Sequence, residues 1–336
     1  NATGVGGTVA SGGTIKFRIG LKTTYSATNT YPARYAVVVV TYGTPAKTFN
    51  LYLRQGEDPD YVWSPSEYYP YGGSTDLRTS AVKFSPYNLT ASGLTDVVKY
   101  IPVAVGGGVF TAYPTQAGAF FQWANETNPR YAYHPVTPAD DLLSVWDTNT
   151  PTGFWDTLGS TYETCPQSYS LTTGTSVNFR RPNDGSTSAA NPAGDVAGSE
   201  MRQSLWEDPQ IGQTFSVIGS VGGFYADGFF DRRSHTHTAY GISGRDNSAV
   251  SILTKDVAYI GRLFYNRDNK RSLFFPALGS RNENHVLYVP GHYGVYLSSS
   301  SFDTYRCWSL CVSGGDVAYE TSEGKFDGEA LRCVRE

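Results

Sequence analysis

The last eight residues, 329–336, read EALRCVRE. The stretch is strand-like and apolar at Ala330, Leu331 and Val334, and it carries Cys333 three residues before the end. A cysteine in that position raises the question of what it holds and why the chain would tie down its final residues. The other cysteines are Cys165, Cys307 and Cys311. They form no C-x-x-C metal pattern, and an even count is compatible with an oxidising compartment without establishing one.

The 336 residues suggest two domains with ample core. The formal net charge is −4, and the Lys and Arg residues are scattered. Nothing in that balance argues for a nucleic-acid partner. No apolar run approaches the ~20 residues of a membrane-spanning helix; the longest, YAVVVV (35–40), reads as a strand. The opening NATGVGG has no signal-peptide character and reads as a mature or truncated start, with any export signal or lipid anchor outside this chain. The 25 Tyr and 36 Gly suit a turn-rich β-fold, and Tyr also suits an adaptable binding surface, because it offers contact area at low entropic cost.

Residues 1–62 read as all-β. TIKFRI (14–19) alternates, ARYAVVVVTYG (33–43) is rich in β-branched residues, and KTFNLYLRQG (47–56) sets Phe49, Leu51 and Leu53 on one face. Together they predict a small β-sandwich module. The Pro-, Gly- and Tyr-rich run from 56 to 76 lacks periodicity and reads as a linker. The rest, 77–336, reads as one mixed domain with few helices. TPADDLLSVWDT (137–148) predicts one, with Thr137 as cap, Pro138 in the first turn, Asp140 completing a capping box, and Leu142, Leu143 and Trp146 on one face. GSEMRQSLWED (198–208) predicts a second, capped by Ser199. Strands are expected in GGFYADGFFDRR (222–233), AVSILTK (249–255), VAYIGRLFYN (257–266), RSLFFPALGS (271–280) and HYGVYLSSSS (292–301).

Four segments, in order, carry a resemblance. GAFFQWANETNP (118–129), ETCPQSY…FRRPNDGS…GSEMRQSLW (163–206), YGVYLSSSS (293–301) and ALRCVRE (330–336) resemble motifs of the Fibrobacter succinogenes major paralogous domain family. The resemblance covers about 220 residues. It implies a C-type-lectin-like fold in the branch shared with formylglycine-generating enzymes, on surface proteins, often lipoproteins, of Gram-negative anaerobes. LYLRQGEDPDYVW (51–63) resembles the last strand of immunoglobulin-like modules in such proteins, and some members with this layout look like fimbrial tip or accessory subunits. Leu297 stands where the family has a tryptophan, and CPQSY is followed by an insertion before Arg180 and Arg181. In such folds a disulfide clamps the closing strand to an early segment, and Cys165 and Cys333 match the two positions that would pair. Closing a loop of that length would contribute at most about 5 kcal/mol by the chain-entropy estimate. Two buried free thiols are the alternative.

Other constellations have both a functional and a structural reading. The formylglycine-generating relatives imply copper at two nearby cysteines, which would fall to Cys307 and Cys311. On an extended strand, however, these lie about 13 Å apart, too far to share a metal or a disulfide. Packing as small hydrophobes is the competing role. His235 and His237 alternate near Asp231 and suit either a chelating pair or solvated loop residues. Arg180, Arg181, Asn183, Asp184, Glu200 and Arg202 suit an Asx turn with ion pairs better than a catalytic group. Trp123, Tyr131, Tyr133, His134, Tyr293, Tyr296 and Trp308 could line a shallow sugar or protein site, or fill the core. Calcium-lectin motifs, a nucleophile elbow and a P-loop are absent from the sequence.

The reading is therefore an α+β protein with an immunoglobulin-like module at 1–62 and a C-type-lectin-like domain at 77–336. The expected role is non-enzymatic adhesion or recognition at an outer-membrane-anchored, extracellular surface or a fimbrium. Glycans or surface proteins would be the ligands, and other pilus subunits would bind through the N-terminal module. No cofactor or metal is expected, and membrane contact would run only through an anchor outside this chain. A copper oxidase using Cys307 and Cys311, and a purely structural pilus subunit, are the alternatives.

Overall fold

The computed structural model describes residues 8, 12–13, 20, 33–56, 58–60, 83–95, 97–112, 114–123, 131–135, 137, 139–148, 163–171, 220–226, 237–238, 241–242, 260–266, 271–288, 293–313 and 317–335. In chain order the strands are β1 (Arg34–Tyr42), β2 (Lys47–Gln55), β3 (Lys83–Phe84), β4 (Leu89–Ala91), β5 (Tyr100–Pro102), β6 (Gly108–Phe110), β7 (Phe121–Gln122), β8 (Tyr131–Tyr133) and β9 (Tyr169–Leu171). Then follow β10 (Ser220–Ala226), β11 (His237–Thr238), β12 (Gly241–Ile242), β13 (Ile260–Asn266), β14 (Ser272–Pro276), β15 (Ser280–Arg281) and β16 (Leu287–Tyr288). The chain ends with β17 (Tyr293–Ser301), β18 (Arg306–Ser313), β19 (Val317–Gly324), β20 (Gly328–Leu331) and β21 (Cys333–Arg335). Sheet and loop dominate, and no α-helix occurs among the described residues.

β1 and β2 form an antiparallel hairpin in which Ala36, Val38 and Val40 stand opposite Leu53, Leu51 and Phe49. Of the expected N-terminal sandwich, this hairpin is the part within the described residues; TIKFRI lies outside them. The start of the predicted linker is stitched down. Arg54 donates to the carbonyls of Gly56 and Asp58. Asp60 then exchanges both backbone hydrogen bonds with Phe84, at 2.8 Å each, and its carboxylate lies 3.6 Å from the Arg271 guanidinium.

The largest sheet has seven strands in the order β16-β15-β20-β17-β18-β19, with β7 also paired to β20, and it curls into half a barrel. β17 and β18 are a long antiparallel pair, in keeping with the alternation in HYGVYLSSSS; in β18, Leu310 and Val312 are both buried. β20 runs parallel to β17, with Ala330 beside Tyr296 and Leu331 beside Leu297. One residue later the chain leaves this sheet. β21 becomes the middle strand of a second sheet, order β3-β21-β9, so the tail lies between an early and a middle segment. One core cluster gathers Phe84, Phe120, Tyr133, Phe275 and Tyr296. The other gathers Leu89, Phe121, Trp123, Leu297 and Leu331 around the tail cysteine.

The helix expected over 137–148 is corrected to a single four-residue 3-10 turn, Ala139–Leu142. Thr137, assigned as its cap, points its hydroxyl backward, donating to the His134 carbonyl at 3.0 Å. The buried Arg281 guanidinium takes the carbonyls of Pro135 at 2.9 Å and Thr137 at 2.6 Å, anchoring the entry to the turn. Leu142 and Trp146 face the core as expected, but Leu143 is 64% exposed. The α component of the α+β expectation thus shrinks to one turn among the described residues. The second helix, 198–208, and the strand expected at 249–255 lie outside the described residues.

Candidate functional site

The tail strand organises the first candidate. Cys333 and Cys165 are joined by a disulfide with 6.0 Å between their Cα atoms, and both are buried. Ser85 N–H donates to the Cys333 carbonyl at 2.8 Å. Arg332, 1% exposed, donates to the carbonyls of Ser85 (3.1 Å) and Phe274 (3.0 Å) and lies 4.4 Å from the centre of the Phe275 ring. Burial lowers its guanidinium pKa to about 10.

Against this clamp opens a cleft of about 510 Å³. Tyr87 follows β3, Phe110 closes β6, Tyr169 begins β9 and Arg335 ends β21; Asp58 reaches in from the stitched linker. The rings of Phe110 and Tyr169 meet edge to face at 4.8 Å. Ser168, in the lining, holds φ at +70°, and the Tyr169 N–H closes the turn onto the Pro166 carbonyl at 3.0 Å. The lining therefore gathers aromatic residues, an arginine and an aspartate around one concavity. This mixture can hold a ligand with both apolar faces and hydrogen-bonding edges.

The aromatic candidates are not gathered there. Trp123, Tyr133 and Tyr296 are at most 2% exposed. The Trp123 indole donates to the Ser298 carbonyl at 3.0 Å, and the Tyr296 hydroxyl donates to the Pro276 carbonyl at 2.6 Å. The Tyr133 hydroxyl sits 2.9 Å from Gln122 Oε1 and 3.0 Å from the Val145 carbonyl. Burial raises the pKa of Tyr133 and raises that of Tyr296 to about 12. These rings fill the core and present no area to a ligand. His134 is also buried, and its backbone N–H donates to the Lys99 carbonyl at 2.8 Å. Tyr131 is half-buried against Tyr100, and half-buried Trp308 meets Phe302 edge-on at 4.6 Å. His237 pairs with Ile242 in a two-stranded ribbon. Asp231, His235 and the set Arg180, Arg181, Asn183, Asp184, Glu200 and Arg202 lie outside the described residues.

Tyr293 leads to a second candidate. Its hydroxyl lies 3.2 Å from Glu323 Oε1 and 3.0 Å from Cys311 Sγ. Cys311 Sγ is itself 3.5 Å from that carboxylate, and Cys307 Sγ is 3.7 Å from the Glu323 carbonyl. Both thiols are free and buried. Glu323 is the last residue but one of β19, Asp327 lies in the following turn and Glu329 is in β20; one carboxylate oxygen from each lies within 4.8 Å of the others. Among the described residues this is the one such grouping of His, Cys, Asp and Glu, and it includes neither thiol.

The turn from Gly324 to Asp327 brings the three acids together. Its closing bond runs from Asp327 N–H to the Gly324 carbonyl at 3.0 Å, and Gln122 Nε2 holds the Phe326 carbonyl at 2.7 Å. A Cβ on Gly324 would come within 2.7 Å of the Asp327 carboxylate, and one on Gly328 within 2.4 Å of the Trp146 ring. The two glycines therefore permit the tight approach. Burial, reinforced by Glu323, raises the Asp327 pKa to about 7. Burial with both neighbouring carboxylates pushes Glu329 far above the usual range, and burial raises Glu323. Burial, then Glu329, likewise raises the Cys307 thiol.

The sequence reading missed this cluster. Its signal is confined to the D-G-E of KFDGEA (325–330), a turn dipeptide flanked by acids. Comparison with known proteins finds no matching family model, curated protein or solved structure.

Proposed function

We propose that the chain is a non-enzymatic recognition protein of an extracellular surface, with the cleft beside the tail clamp as its ligand-binding face and a C-type-lectin-like arrangement of the domain at 77–336. The observation that carries the reading is the disulfide-held tail strand, which fixes Arg335 beside Tyr87 and Tyr169 at the cleft wall. A clamp of this kind suits an oxidising compartment. It also lets an exposed binding face be rigid without a large core beneath it, which lowers the ordering cost of binding. The cleft's size and its mixed ring and polar lining favour a glycan or a protein loop. On this reading the N-terminal module serves attachment or assembly with other pilus subunits.

The test is binding of the full chain to a glycan array and to host and bacterial surface proteins, alongside Arg335→Ala and Tyr87→Ala. The expected result is a ligand whose signal falls in both variants while their unfolding curves overlay the parent. Silence across both panels, or a ligand indifferent to both substitutions, contradicts the proposal.

A further inference from the structure

We propose that Glu323, Asp327 and Glu329 form a binding site for a hard divalent cation of the calcium class. Three carboxylate oxygens, one from each residue, converge within 4.8 Å. Calcium–oxygen distances of about 2.3–2.6 Å allow ligands on opposite sides of one ion to stand that far apart. An acidic cluster alone often has no ion. Here, however, Glu329 is 1% exposed and its Oε2 has no hydrogen-bond partner. A buried carboxylate oxygen without a donor leaves a large desolvation cost uncompensated, and a cation seated between the three acids would compensate it.

The surrounding groups favour the hard class. Every ligand atom in the cluster is a carboxylate oxygen, with no imidazole. Neither Cys307 nor Cys311 belongs to the group, so no sulfur enters the ligand set. Glu323 and Asp327 are half-buried while Glu329 is fully buried. The site thus has a closed floor and a side open to entry and to water ligands, which suits the irregular shells calcium accepts better than the strict octahedron of magnesium. This inference does not depend on the cleft or on its ligand.

The test is calorimetric titration of the chelator-stripped full chain with calcium, magnesium and zinc salts separately, each with a thermal melt. The expected result is one saturable calcium site and an upward shift of the melt with calcium. Glu329→Gln should weaken calcium by at least the roughly tenfold that loss of even an outer-sphere partner costs. Should Glu329→Gln fail to fold, the half-exposed Glu323→Gln takes its place. Absence of saturable binding by any of the three ions at millimolar concentration overturns the site. Binding unchanged by either substitution does the same, and zinc binding without calcium binding overturns the assigned class.

Discussion

Glu329 and Arg332 stand three residues apart, both 1% exposed, and the protein treats their charges in opposite ways. Arg332 spends its terminal nitrogens on the carbonyls of Ser85 and Phe274 and lays its face on Phe275, leaving the Nε without a partner. Arg281 is handled alike, with its terminal nitrogens on carbonyls of 134, 135, 137 and 285, and burial holds its guanidinium down to about 9. Glu329 instead faces two other acids. Buried cations here are staples between loops that would otherwise carry open carbonyls. Glu329 Oε2 meets no donor and lies against two more carboxylates, which is why this cluster, and not the arginines, reads as a site.

The comparison can be broken in four places. The largest effect should come from Cys165→Ser with Cys333→Ser. Opening a loop with a sequence separation of 168 residues is expected to cost at most about 5 kcal/mol in denaturant unfolding. Next, Arg332→Met should cost about 3 kcal/mol in the same measurement, because two carbonyls lose a charged donor inside the protein. Third is the pH dependence of the ion-free protein. Asp327 has an ordinary value of 3.8 and a folded value of about 7. The folded state therefore holds a proton that the unfolded chain releases, and stability falls as pH rises from about 4 through 7, by on the order of 2 kcal/mol. Glu323 and Glu329, raised in the same direction, deepen the fall, whereas the phenol of Tyr293 and the thiol of Cys307, both raised, add no charge at those pH values. Glu329→Gln should flatten the slope, and calcium should reverse it in the parent. The smallest effect belongs to Leu143→Ser. An exposed residue on a single turn should shift stability by less than about 0.5 kcal/mol, whereas a substitution on the buried face of a true helix would cost several times more.

The sequence reveals the strands wherever apolar alternation survives. β1, β2, β13, β14 and β17 fall inside the segments whose pattern predicts them. The tail strand was legible from its apolar residues, and its partner cysteine only through family resemblance. What escaped follows from longer-range physics. The capping box at 137 was outcompeted, because Arg281, far along the chain, claims the carbonyls at the entry of that turn. Aromatic residues looked the same whether destined for cleft or core, so Trp123, Tyr133 and Tyr296 could not be sorted by spacing. Glu329 sits in a strand whose four residues are all buried, and sequence rules place a lone Glu on the surface. Its meaning emerges only when the Gly324–Asp327 turn delivers two more acids beside it.

The central claim is that the tail is clamped to the middle of the domain and builds the cleft wall. Peptide mapping of the unreduced, alkylated protein by mass spectrometry tests it directly. The account predicts one cross-linked peptide pair containing Cys165 and Cys333, with Cys307 and Cys311 modified as single thiols once the chain is unfolded. A map in which Cys333 is alkylated freely in the native protein, or is joined to Cys307 or Cys311, contradicts it.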